Sequence, residues 1–175
     1  MPITVEALIE LTLSNLQDEK LETALQTKAL LPPATEDELW AKVAELSGRD
    51  LEAAKLEFRQ QRIFSDGSFA HPLYREVTLK NLPKAKRQQL ARRALETFQD
   101  EPVKAAPFID DALLENEKAL ELLKRASKEA KENKDEVLAG RLLAKAVHYS
   151  TGEEKGILAL GAAQILRTYH LEEAL

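Results

Sequence analysis

The chain has 175 residues, 44% of them hydrophobic and 31% charged, with a net charge of −5 at neutral pH, the balance of a globular protein that buries a core. The lack of cysteine excludes disulfides and thiolate metal sites, and no apolar run approaches the roughly 18 residues of a membrane span. The acidic balance argues against nucleic-acid binding by the chain as a whole, and the opening MPITVEALIELTL, with two glutamates and no basic region, does not read as a signal peptide, so a cytoplasmic location is expected.

In chain order, VEALIELTLSNL places Leu8, Ile9, Leu11, Leu13 and Leu16 at mostly helical spacing. QDEKLETALQTKALL continues with Leu21, Leu25, Ala29 and Leu30 until Pro32-Pro33 stops the run. Thr35 with Glu38 three residues later reads as a capping box for EDELWAKVAELS, which Gly48 is expected to end. Asp50 is expected to cap LEAAKLEFRQQRI, with Leu51, Ala54, Leu56 and Phe58 as its apolar face. Next comes RIFSDGSFAHP, where Asp66-Gly67 supplies the positive φ angles of a tight hairpin between Ile63-Phe64 and Ser68-Phe69-Ala70. A two-stranded ribbon is marginal alone and must lie on the preceding helices. Helices closed by one hairpin are the arrangement of a winged helix, expected over residues 1–100.

Two more helices, LYREVTLKNL and KAKRQQLARRALETFQ, break near Pro83. The proline-bearing DEPVKAAP marks an expected boundary at about residues 100 to 107. From residue 101 to 175 the pattern predicts antiparallel helical hairpins like tetratricopeptide repeats. In DEVLAGRLLAKAVHYS, Ala139, Leu143 and Ala146 sit at close-packing spacings, and EEKGILALGAAQILRTY supplies a third helix. HLEEAL then reads as the start of another helix too short to stand alone, so the chain is expected to be a fragment of a longer protein. The fold class expected is therefore mainly α, a winged helix followed by an antiparallel helical array.

The stretch FAHPLYREVTLKNLPKAKRQQLARRALETF resembles a segment of the large bacterial STAND signalling ATPases, which include the large LuxR-type transcriptional regulators. That segment reads F-x-H-P-L-x-R-E, then L-P-x-x-x-R-x-x-L. PITVEALIELTLSNLQDEKLETALQTKALLP is similar to the winged-helix region that follows their ATPase core, and the chain from residue 116 onward is similar to their tetratricopeptide-like array. The resemblance implies a regulatory segment that couples nucleotide state to an array binding a protein or small-molecule inducer. It also implies a nucleotide-binding core in the same parent chain, and ATP or ADP as that parent's cofactor. No G-x-x-x-x-G-K-[ST] occurs, so the chain itself is expected to be non-catalytic and to hold no nucleotide unaided.

By the same resemblance His71 occupies the place of a histidine that senses the ADP β-phosphate, although Ala70 and Pro72 replace that motif's flanking residues. The plainer reading is that His71 satisfies a local backbone group ahead of a helix begun by Pro72. Lys80, Lys84, Lys86 and Arg87 lie in a basic run that is a weak candidate for phosphate contact. The hairpin tip Ser-Asp-Gly-Ser and the acidic EDELWAKVAELS oppose that reading. His148 and His170 have no second ligand four residues on, so no metal site is expected. Asp110-Asp111 and Glu153-Glu154 read as helix-start charges. Ile165, Leu166 and Leu171 are expected to form a partly uncovered apolar patch for a partner, with a homodimer as one outcome. The competing classes are a freestanding helical interaction module and a DNA-binding winged helix.

Overall fold

The computed structural model describes the backbone of residues 4–173 and the side chains of residues 4–168. It is mainly helical, with one two-stranded antiparallel sheet among the described residues. The chain divides into two compact units, Met1–Thr97 and Phe98–Leu175.

The first unit runs α1 (Val5–Ser14), α2 (Glu19–Leu30), α3 (Asp37–Ala44), α4 (Gly48–Gln60), β1 (Phe64–Ser65), β2 (Ser68–Phe69), α5 (Pro72–Asn81) and α6 (Lys84–Thr97). Its centre is α2, buried continuously from Thr23 to Ala29 and packed by α3, α4, α5 and α6. Asp18 starts this helix by accepting from the amides of Lys20 and Leu21. Pro32 ends it, because the residue before a proline is pushed out of the helical region, and Leu31 is extended at φ −71°, ψ 156°.

Stopping a buried helix leaves carbonyls without partners, and a cation from α5 supplies them. Arg75 Nε donates to the Ala29 carbonyl at 2.8 Å and Nη2 to that of Leu31 at 3.5 Å. Lys28, only 5% exposed, donates to the carbonyls of Pro33 and Thr35 and lies 5.1 Å from the Trp40 ring centroid. Burial holds its pKa below the ordinary lysine value, partly offset by Asp37. The Trp40 indole in turn donates to the Ala24 carbonyl at 2.9 Å, which ties α3 to the middle of α2.

Several helix ends differ from the sequence expectation. Thr35 does not cap α3: its hydroxyl donates to Pro32, and Glu36 occupies the cap position without a side-chain bond. The left-handed residue that stops α3 is Glu45, at φ 55°, not Gly48, which is already the first residue of α4. Ser47, rather than Asp50, caps α4, accepting from the Asp50 amide while its hydroxyl donates to the Asp50 carboxylate. On α4 the buried face is Leu51, Ala54 and Phe58, and Leu56 points to solvent. On α1 only Ile9 is buried, while Leu8 and Leu11 are exposed.

The second unit contains α7 (Pro102–Ala105), a 3-10 turn (Ala106–Phe108), α8 (Ile109–Ala112), α9 (Asn116–Glu132), α10 (Glu136–Ala146), a second 3-10 turn (Val147–Tyr149) and α11 (Gly152–Glu173). The proline-bearing stretch is packed rather than an open linker. Pro102, Ala105, Phe108 and Ile109 are buried, and Phe108 stacks on Phe98 with centroids 6.0 Å apart. On α9, Ala119, Leu123, Ala126 and Ala130 are buried; on α10 the buried set is Ala139, Gly140, Leu142 and Ala146, with Leu143 only half-buried. Short connections between packed neighbours make α9, α10 and α11 successive helical hairpins. The segment HLEEAL starts no new helix, because α11 continues unbroken through His170.

The clamp on α2 generates the first prediction. Arg75→Ala leaves two carbonyls without their charged donor and should cost about 1.5–3 kcal/mol. Urea denaturation should show a lower midpoint with an unchanged slope.

Candidate functional site

The hairpin turns because Asp66 and Gly67 both adopt positive φ, 50° and 80°, the two-residue turn that matches strand twist. Phe64 pairs with Phe69 and Ser65 with Ser68. The Ala70 amide extends the ladder to the Ile63 carbonyl at 2.8 Å. Alternation sends Phe64 inward, where its ring lies 5.1 Å from Phe58, 6.0 Å from Trp40 and 4.9 Å from Phe69. This aromatic cluster fastens the ribbon to α3 and α4, so the residue leaving the hairpin has a defined position.

That residue is His71. Its backbone is extended, Pro72 takes the first helical position of α5, and Nδ1 accepts from the Leu73 amide at 3.2 Å. The histidine is thus the N-cap of α5, the local role the plainer reading assigned it. An Nδ1 that accepts carries no proton, so the neutral ring holds its proton on Nε2. The side chain is exposed, leaving that N–H available as a donor outside the cap.

The basic run is not gathered into one face. Lys80 pairs with Glu6 at 2.6 Å, and Arg93 with Glu45 at 2.5 Å. Arg75 is spent on α2. Arg87 is half-buried and has a partner within the fold. Lys84 is exposed, while Lys86 lies about 200° away around the same helix and edges a cleft of about 340 Å³ that also holds Lys20, Glu19 and Glu45. The helix that leads into the hairpin is α4. It carries charges of both signs, with Lys55 bound to Glu52 and to Asp37 of α3.

In the second unit Ile165 and Leu166 are half-buried because they pack on Gly140. A Cβ built on that glycine would come within 2.9 Å of Leu166 and 3.1 Å of Ile165. Leu171 belongs to α11, but its side chain lies outside the described residues. A cleft of about 540 Å³ opens beside this contact. Leu143, Gly161 and Ile165 form its apolar wall, and Lys131, Glu136 and Gln164 its polar edge.

One polar cluster left no trace in the sequence pattern. Asp110, near the start of α8, accepts from Lys145 at 2.7 Å and from the Tyr149 hydroxyl. Lys145 also reaches the Ala106 carbonyl at 3.5 Å. Asp110 therefore does more than complement a helix dipole: it fastens the packed stretch 106–112 to the end of α10. Its partners are 35 and 39 residues away along the chain, and no local motif joins them. Burial tends to raise the Asp110 pKa, but the bonds from Lys145 and Tyr149 prevail and hold it low. Burial, then the bond to Asp110, pushes Tyr149 up to about 12. Among the described residues no three His, Asp or Glu side chains gather as a metal site, and no helix is long and apolar enough to cross a membrane.

Comparison with protein-family models, curated proteins and solved structures finds no match to the chain.

The Tyr149 shift has a defined sign. Its folded pKa lies above the ordinary value of 10.0, so its contribution to stability is complete below about pH 10 and is lost as pH rises toward 12. Tyrosinate absorbance of the wild type minus that of Tyr149→Phe should titrate near pH 12. A difference curve centred at 10 would mean that the Asp110 bond does not form.

Proposed function

We propose that this chain is a non-catalytic regulatory segment of a bacterial STAND-type signalling ATPase, a winged helix followed by a tetratricopeptide-like array. In this reading the first unit meets a nucleotide-binding core in the parent chain, and the helical hairpins of the second take a protein or small-molecule inducer. The observation that supports it best is the hairpin exit. Four helices precede a short ribbon that leads into an exposed His71, and its cap occupies Nδ1 while Nε2–H stays accessible. A donor held in that way suits a phosphate oxygen supplied by a neighbouring core. The array reading draws on α9, α10 and α11 as stacked hairpins and on the cleft beside Gly161.

A second reading, a freestanding helical interaction module, rests on that same cleft and needs no nucleotide. A DNA-reading winged helix finds less support, because the exposed cations of the first unit are interleaved with acids and α4 is of mixed charge.

Two experiments test these readings. Calorimetric titration of the isolated chain with ADP should give no binding heat, and micromolar affinity would contradict the non-catalytic assignment. In the longer parent with its core, His71→Ala should destabilise the first unit by about 1 kcal/mol through loss of the cap and weaken ADP binding about tenfold. His71→Asp restores the cap acceptor without the donor, so it should recover the stability and not the affinity. Unchanged ADP affinity in both variants would remove the nucleotide role from His71.

A further inference from the structure

The helix α11 is apolar on more than the side that packs. Leu158 and Ala162 are buried, and Gly161, Ile165 and Leu166 half-buried, on the flank toward α10. At about 100° per residue, the opposite stripe is centred on Leu160. It holds Glu153, Gly156, Ile157, Leu160, Ala163, Gln164 and Arg167, all seven exposed. Leu160 is 74% exposed and Ile157 63%, unusual for aliphatic side chains on consecutive turns of one helix face. This face is distinct from the one that carries Ile165 and Leu166, which lies toward α10.

The stripe is complementary to itself. Glu153 lies seven residues before Leu160 and Arg167 seven after it, so both lie within about 20° of the same line on the helix. We propose that this face is the contact surface of a homodimer in which α11 of two copies pairs antiparallel about a twofold axis at Leu160. Leu160 then meets its own copy, Ile157 meets Ala163, Gly156 meets Gln164, and Glu153 meets Arg167 at both ends. Gly156 and Ala163 carry little side chain, which lets the two helices approach. Parallel pairing would instead set Glu153 against Glu153 and Arg167 against Arg167. The neighbouring acid, Glu154, is taken by Lys124 of α9. A partner of unrelated sequence would require no match between positions 153 and 167. That match about Leu160 selects a second copy of this chain.

The seam from 153 to 167 is about 21 Å long, below the standard interface size, so a dissociation constant in the micromolar range or weaker is expected. Sedimentation equilibrium of the full chain between about 1 and 500 µM brackets that constant. The wild type should show a monomer–dimer equilibrium, and Leu160→Glu should weaken it at least about tenfold, because two carboxylates would face each other on the axis. Glu153→Arg and Arg167→Glu should each weaken it about three- to tenfold, more at low salt. The double exchange should return the affinity to near the wild-type value. All three positions are exposed, and unchanged circular dichroism verifies that the variants fold. A chain monomeric throughout that range, with the face left to a different partner, overturns the proposal. So does a dimer indifferent to Leu160→Glu, or a double exchange that fails to recover.

Discussion

The first unit depends on how the buried C-terminal end of α2 is closed. A helix surrounded by four others gains apolar burial, but its last carbonyls must still find donors, and no water reaches them easily. Pro32 prevents the chain from continuing, so the donors come from side chains. Arg75 reaches across from α5, and Lys28 folds over Trp40 toward the following loop. Placement of α5 is thereby fixed by hydrogen bonding as well as by packing. Because α5 starts at the hairpin exit, the position of His71 follows from the same closure.

This changes the meaning of the residues that carry the resemblance to signalling ATPases. Arg75 holds α2, and Leu82 and Leu90 are buried. His71 caps α5 and Pro72 begins it. Most of that motif is the packing code of α5 and α6 on α2. The outward Nε2 of His71 is not used by the fold, and the proposed nucleotide role rests on that atom. A motif rich in scaffold residues marks a kind of fold more directly than it marks a chemistry.

Long periodic runs and the hairpin were readable from sequence because each has a local cause. Asp66-Gly67 is a turn for reasons contained in two residues, and Pro72 opens a helix by its own ring geometry. Helix ends were less legible. Glu45, Leu113 and Lys134 take positive φ at the ends of α3, α8 and α9, where the usual glycine mark is missing. Gly48 was misread as a stop because it stands near one. The choice between two flanks of a helix was the hardest matter. Leu56, Leu8 and Leu160 satisfy an apolar pattern yet face solvent, since only the packed neighbours decide which stripe is covered. Pairings such as Asp110 with Lys145 and Tyr149 depend on tertiary placement and could not be seen before it.

If the closure of α2 organises the first unit, its amides should be the last to exchange with solvent. Native-state hydrogen exchange measures this residue by residue. The account predicts that amides from about Ala24 to Leu31 exchange only through global unfolding of the unit, and that Arg75→Ala lowers their protection by the full loss in stability. Exchange of α2 as fast as that of the peripheral α1, or protection unmoved by Arg75→Ala, would contradict it.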